Sequence, residues 1–288
     1  MAVQEVTLPS VRRPRLRVAD GSGLRWLLLP PIAVLALLLI GPVAMLAQTA
    51  FSGEENAFAS LVGDQVFYDA VQHTIVMTVV VTVCAVGFGT LYALGISAAP
   101  RWVAGLLLAG LFLTMWTSVL VRTFGWMLLE LPAGALFWAL NELGLRDQPL
   151  EIYQTSLAAY PAMVHVMLPY AVLPVWIAIG RLDHAQIQAA QVFGARPLLV
   201  LRKVVLPQLR PAMISAAVLI FLMSLGFYVT PLMLGSPSEL TVAGYIDQQF
   251  NGSDNPERAA AMSVLLLGAV LVLYTAADRL FRVSEKWG

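Results

Sequence analysis

The stretch Gln188-Ala189-Ala190-Gln191-Val192-Phe193-Gly194, followed by Ala195-Arg196-Pro197 and closed by Val204-Val205-Leu206-Pro207, decides how the chain is read. It is polar and rich in small residues, and very apolar runs flank it. Asp183 is placed to cap a helix, with Gln186 three residues on returning a bond to the Asp183 backbone N–H, a capping-box variant. Ala185, Ile187, Ala189, Ala190, Val192 and Phe193 continue that helix, and Gly194 falls where a left-handed residue ends one. Pro197 suits the first position of a second helix, where its missing N–H is no loss. Pro207 is expected to end the second helix, and Pro211 to open the next apolar run. The segment is too polar to cross lipid and too structured for a plain loop. Local physics leaves two readings open. One is a docking surface, where Ala189, Ala190 and Gly194 admit a partner backbone closely; the other is an ordinary interfacial or re-entrant loop.

The rest of the chain supplies the context. Of its 288 residues, 59% are hydrophobic and only 12% charged, with a mean hydropathy of +0.79. A soluble domain carries about 25% charged residues. Several apolar runs exceed the roughly 18–20 residues that cross a bilayer. The chain therefore reads as an all-α membrane protein with six transmembrane helices, at residues 24–50, 73–98, 103–121, 156–180, 211–234 and 258–280. Pro161, Pro169 and Pro174 in the fourth span predict kinks beside a cavity, since freed backbone groups need partners other than lipid. Residues 122–154 mix Trp126, Phe137 and Trp138 with Glu130, Glu142 and Asp147, as suits an amphipathic helix at the interface.

Residues 1–23 hold Arg12, Arg13, Arg15 and Arg17 and read as a basic tail before a retained first span, not a cleavable signal. Residues 24–288 read as one transmembrane domain, with residues 181–210 as its polar insertion. The single cysteine, Cys84, excludes an internal disulfide or a cysteine metal cluster.

Charge sets the expected orientation. With both termini inside, the inner segments hold fourteen basic and five acidic residues, a net of +9; the outer segments hold three basic and twelve acidic, a net of −9. The positive-inside rule then puts residues 181–210 and both termini in the cytoplasm. The formal net charge is zero, so no nucleic-acid partner is implied. An acidic outer mouth concentrates cations.

The polar insertion resembles the cytoplasmic signature of ATP-binding-cassette (ABC) importer permeases: Glu-Ala-Ala, three residues, Gly, nine residues, Ile, any residue, Leu-Pro. Here Gln188-Ala189-Ala190, Gly194, Val204 and Leu206-Pro207 keep every spacing. Gln188 replaces the acid, so docking here is expected to be less electrostatic, and Val204 replaces the isoleucine. Trp116-Thr117-Ser118-Val119-Leu120-Val121-Arg122-Thr123-Phe124-Gly125-Trp126, Leu168-Pro169-Tyr170 and Gly226-Phe227-Tyr228-Val229-Thr230-Pro231 look like segments of spermidine/putrescine-type permeases.

The resemblance implies a type I permease fold in a bacterial inner membrane, with a coupling helix between spans four and five. It also implies two ATPase subunits that bind ATP and Mg, a second permease (a paralogue rather than a copy), and an extracytoplasmic solute-binding protein. This chain carries no G-x-x-x-x-G-K-[ST] and needs no cofactor of its own. The coupling residues are then Gln188, Ala189, Ala190, Gly194, Val204, Leu206 and Pro207.

Translocation-pathway candidates are Trp116, Thr117, Ser118, Arg122, Phe124, Trp126, Phe227, Tyr228 and Thr230. Aromatic faces attract cations, and the same residues equally suit packing or interfacial roles. Arg122 suits snorkelling, pairing with an outer acid, or contact with a substrate anion. His73 and His165 suit hydrogen-bonded structural roles. No carboxylate is expected deep in a span. Substrates compatible with the resemblance are polyamines, then iron complexes, thiamine, phosphonates, opines or a small anion. An intramembrane enzyme lacks its catalytic inventory here, and a scaffold would not need broken spans.

Overall fold

The computed structural model describes residues 22–52, 57–253 and 255–281, and no strand occurs among them. The basic tail at residues 1–21 and the acidic pair Glu54 and Glu55 lie outside the described residues. The chain divides into two units, one ending at Met45 and the other running from Leu46. The first contributes most of helix α1 (Ser22–Ser52), whose apolar part from Leu29 is long enough to cross a bilayer.

The second unit is built on three long helices: α3 (Gln65–Ala98), α7 (Ala159–Ile179) and α10 (Leu206–Leu225), numbered in a chain that also holds the short α2 (Ala57–Leu61). Met77, Val81, Ala85, Met163, Met167, Ala171, Ala216 and Ile220 form their common core. In lipid, helices associate by close van der Waals packing rather than by exclusion of water, so small residues mark the contact. At Gly89 α3 and α7 approach too closely for a side chain: a Cβ built there would overlap the Ala171 Cβ. Some buried hydroxyls bond back to their own helix, as Thr74 Oγ1 does to the Ala70 carbonyl and Thr90 Oγ1 to the Val86 carbonyl, each at 2.7 Å.

Helix α7 runs without interruption through Pro169 and Pro174. Three expectations about the other spans are corrected. The third span ends at Trp116, not at residue 121. Helix α4 (Arg101–Trp116) gives way at Thr117-Ser118, both in extended conformation, and α5 (Val119–Glu130) leaves at 107° to it. Thr117 favours the break because its hydroxyl bonds back to the Leu113 carbonyl, at 2.7 Å, leaving the chain free to turn. Sixteen residues make a helix of about 24 Å, short of the roughly 30 Å hydrocarbon core. Five helices pass as spans alone, and the bent α4–α5 pair makes six if counted as one.

Nor is α5 a free interfacial helix. It packs on α11 (Val229–Leu234), and Thr123 is buried with its hydroxyl 2.9 Å from that of Thr230. Glu130 at its end is only 3% exposed, and its Oε2 has no partner among the described residues. Helix α6 (Ala135–Glu142) buries none of its residues, and Trp138 faces outward.

The fifth span is shifted and broken. It ends at Leu225 rather than at residue 234, because the chain leaves the helix at Gly226–Tyr228 before α11 returns. At its other end Pro207 does not stop the preceding helix. Helix α8 (His184–Val192) is followed by α9 (Pro197–Val200), a wide turn at Leu201–Val205, and α10, one helical run from Pro197 to Leu225. The wide turn bonds the Leu206 N–H to the Leu201 carbonyl, five residues back. Proline lacks a donor and its ring crowds the carbonyl four residues back; an inserted residue in the turn relieves both.

The loop after α11 is also more ordered than expected. Thr241 caps α12 (Val242–Asp247), accepting from the Gly244 N–H at 3.1 Å, and α13 (Pro256–Phe281) forms the last span. Asp64 ties this end together. Its Oδ1 caps α3 through the Val66 N–H at 3.0 Å, while Oδ2 accepts from the Tyr245 hydroxyl at 2.9 Å and from the Arg258 guanidinium. Burial first, and the bond to Asp64 second, hold the Tyr245 hydroxyl above its ordinary pKa.

Two measurements check this architecture. Gly89→Leu forces α3 and α7 apart and should cost about 1–3 kcal/mol, seen as a lower melting temperature of the detergent-purified complex; an unchanged melt would show that the approach is not tight. In a double-mutant cycle, Asp64→Ala alone should destabilise by roughly 3–5 kcal/mol because it strands Arg258. Asp64→Ala with Arg258→Ala should cost much less than the two single changes added; strict additivity would remove the pair from the account.

Candidate functional site

Helix α8 is built as its sequence suggests, with one substitution of partners. Asp183 Oδ1 accepts from the Ala185 N–H at 2.9 Å, and Gln186 Nε2 donates to Asp183 Oδ2 at 2.9 Å. Gln186 does not return to the Asp183 backbone. That N–H donates instead to Gln208 Oε1 at 3.1 Å, and Gln208 Nε2 reaches Gln186 Oε1 at 3.4 Å. Gln208 belongs to α10, so the start of α8 is strapped to the start of the fifth span.

The far end of α8 closes in a Schellman motif. Ala195 N–H donates to the Ala190 carbonyl at 3.0 Å and Gly194 N–H to the Gln191 carbonyl at 2.9 Å. Gly194 has φ +76°, and nothing lies within 4 Å of a Cβ placed there. Glycine is needed for the left-handed turn and not for room.

The signature residues fall into two groups. Gln188, Ala189 and Gly194 face outward, while Ala190, with Ile187 and Ala195, packs on the cluster around Val200, Val205 and Leu209. Val204 packs on the same cluster, and Leu206 and Pro207 line a cleft on α10. The tip of α8 also exposes apolar side chains that the spacing pattern does not mark: Val192 is 84% and Phe193 90% exposed, with Leu198 on α9 close behind. Adjacent bulky apolar residues on a polar helix mark a surface that is covered by something else.

A second feature is a groove of about 600 Å³ between α3, α5 and α7. Phe88, Trp126, Tyr160 and His165 line it together with Cys84 and aliphatic side chains. Trp126 Nε1 donates to His165 Nδ1 at 3.0 Å, which fixes the indole in the wall and leaves its face to the groove's side of α5. His165 thus has the hydrogen-bonded role its sequence position suggests.

Of the pathway candidates, the structure puts Trp126 on this groove. Trp116 is 91% exposed at the end of α4, and Thr117 and Ser118 form the break beside it. Phe124 faces outward from α5. Thr230 is buried and held by Thr123. Phe227 packs against the three-helix core, and Tyr228 precedes α11 at the break in the fifth span. Arg122 is partly buried beside Tyr170 and His165. Its Nε has no partner among the described residues. Phe88 and Tyr160 on the groove were not singled out in the sequence, because an aromatic in an apolar run carries no mark of which side of its helix lines a cavity.

The model of the family "Binding-protein-dependent transport system inner membrane component" matches residues 85–287. The chain is 31% identical over 221 residues to the spermidine/putrescine transport system permease protein PotB of Escherichia coli (strain K12), covering 75% of this chain and 80% of that one. It is 27% identical over 217 residues to PotB of Haemophilus influenzae, covering 74% and 76%. In fold it is similar to a chain of a bacterial ABC transporter involved in the import of the acidic polysaccharide alginate. There the TM-score is 0.71 at 18% identity, with 91% of this chain and 96% of that one covered. A chain of the MetNI methionine ABC transporter gives a TM-score of 0.56 at 17% identity, covering 75% and 95%. The signature spacing, the all-helical fold and these likenesses agree: the chain belongs to the binding-protein-dependent transport family, as a multi-pass inner-membrane permease component of an ABC importer with the type I permease fold.

Proposed function

We propose that this permease forms half of a channel that imports polyamines or a related small cation, worked from the cytoplasm through α8. The exposed, apolar-tipped helix with its glycine-closed end carries the reading of α8 as the coupling element. Its partner is an ATPase subunit, two of which hold ATP and Mg and supply the hydrolysis. A second permease, a paralogue, completes the channel, and an extracytoplasmic binding protein delivers the solute. Both termini lie in the cytoplasm on this reading, which the +9 and −9 division of charge supports.

The chain's own part is mechanical. A push on Val192 and Phe193 reaches the fifth span by two routes. The Schellman turn leads through Arg196 into the helix that begins at Pro197, and Gln208 straps the start of α8 to α10. Because Pro197 to Leu225 is one helical run, a displacement of α8 rotates the span rather than a hinge beside it. Alternation between inward- and outward-open forms is then a population shift, driven by differential partner binding to the two forms.

The polyamine assignment rests on the 31% likeness to a spermidine/putrescine permease and on a groove walled by Phe88, Trp126 and Tyr160. Methylene chains bury on such walls, and ammonium groups sit over ring faces. One observation favours a second reading, an importer of a small anion: the guanidinium of Arg122, near His165, has a buried Nε without a partner among the described residues.

Two experiments test these assignments in the complex reconstituted with its partners. Gln208→Leu, which removes both strap bonds, should cut uptake roughly tenfold while ATP hydrolysis and subunit stoichiometry stay unchanged. Gly194→Val should act in the same direction. Normal uptake in both variants would end the coupling role of α8. Trp126→Ala should raise the spermidine concentration needed for half-maximal uptake roughly three- to tenfold, with Trp126→Phe between. If Arg122→Gln instead abolishes uptake of an anion such as 2-aminoethylphosphonate and spermidine never competes, the anion reading replaces the cation one.

A further inference from the structure

We infer that the cleft at the start of α10 is a binding site for an anionic phospholipid of the inner leaflet. It rests on the cytoplasmic placement of this segment proposed above, and it adds a ligand that the transport reading does not require. The cleft has a volume of about 580 Å³ and is lined by Arg202, Lys203, Leu206, Pro207, Arg210 and Met213. Arg202, Leu206 and Arg210 repeat every four residues, so one face of the helical run carries them.

Its chemistry is two-sided. Arg202, Lys203 and Arg210 are exposed, and among the described residues none has a carboxylate partner. Leu206, Pro207 and Met213 supply an apolar floor. A free phosphate needs the cations and has no use for the floor. A phospholipid uses both, with its phosphate among the guanidinium and ammonium groups and its glycerol and first methylenes on the floor. Such basic clefts at the cytoplasmic end of a membrane helix suit anionic head groups.

Depth agrees. Arg210 is the last charged residue before an uncharged, mostly apolar run that reaches Leu225. It therefore sits at the edge of the hydrocarbon, and Arg202 lies about 12 Å farther out along the helix. That brackets the headgroup layer, and long basic side chains snorkel across the difference. The ATPase-facing tip of α8 is apolar by contrast, with Val192 and Phe193 outward. The two surfaces are built for different partners. A lipid held here rests on the wide turn at Leu201–Val205 and on the start of the span that α8 moves.

The test uses the whole transporter, purified with its partner subunits, and phosphatidylglycerol as the probe. Native mass spectrometry after reconstitution in phosphatidylcholine vesicles with and without phosphatidylglycerol reads retained lipid. Each cation near an anionic surface is worth roughly fivefold in affinity. Arg202→Gln with Lys203→Gln and Arg210→Gln should therefore lower phosphatidylglycerol retention at least tenfold. The charge-keeping Arg202→Lys with Arg210→Lys should retain it and controls for folding. Unchanged retention in the neutral variant overturns the site. So does displacement of the lipid by millimolar inorganic phosphate, which would make it a free-anion site. Loss of the ATPase subunits from the neutral variant with lipid still bound also overturns it, by giving the cations to the ATPase. Sidedness is read separately with Lys203→Cys in a Cys84→Ala background. Labelling of intact spheroplasts by an impermeant maleimide would sink the topology and the site together. Protection from label with no lipid retention would sink the site alone.

Discussion

Every backbone N–H and C=O within the hydrocarbon must find its partner inside the protein, and the rest of this structure follows from that constraint. It makes the chain helical wherever it meets lipid. It also decides where the helices can break. The break at Thr117-Ser118 is bridged by the Thr117 hydroxyl and by the Arg122 N–H, which donates to the Ser118 carbonyl at 3.1 Å. The break at Gly226–Tyr228 is covered because α11 returns to pack on α5, with the Thr123–Thr230 hydroxyl pair at their contact. Each interruption closes its backbone bonds locally, and the helices that follow them, α5 and α11, pack on one another.

The same constraint shapes the path from α8 into the membrane. Two prolines, Pro207 and Pro211, lie where a helix must pass from water to lipid. The wide turn at Leu201–Val205 absorbs the first, so the span keeps its helix from Pro197 onward. The strap from Gln208 to the Asp183 N–H replaces the local bond from Gln186 that a capping box would use. A bond that a nearer residue was able to make is made by the next span instead.

Helix α5 concentrates the unpaired charge. Arg122 and Glu130 stand eight residues apart with Trp126 midway, on one face by helical spacing. Arg122 Nε and Glu130 Oε2 are both buried without partners among the described residues. Unpaired buried charges are costly and tend to mark function in membranes. Here they flank the one pathway candidate that lines the groove.

Much was legible in order. Length and apolarity of the runs marked the spans, and the division of charge between alternate loops marked the expected sides. The fixed spacing from Gln188 to Pro207 marked the permease family, and Gly194 marked the left-handed turn that the structure bears out. These are local or additive properties, carried by a residue's type and its distance along the chain. What only the tertiary structure decided is where spans stop and what a side chain faces. Residues 117–118 and 226–228 interrupt apolar runs so that α5 and α11 can pack together, and residues 201–207 stay helical because an inserted residue makes space for a proline. Glu130 is buried and Thr230 paired with Thr123, whereas Tyr160 and His165 reach the groove. Packing and burial of this kind depend on partners distant in sequence, and periodicity along one segment carries no information about them.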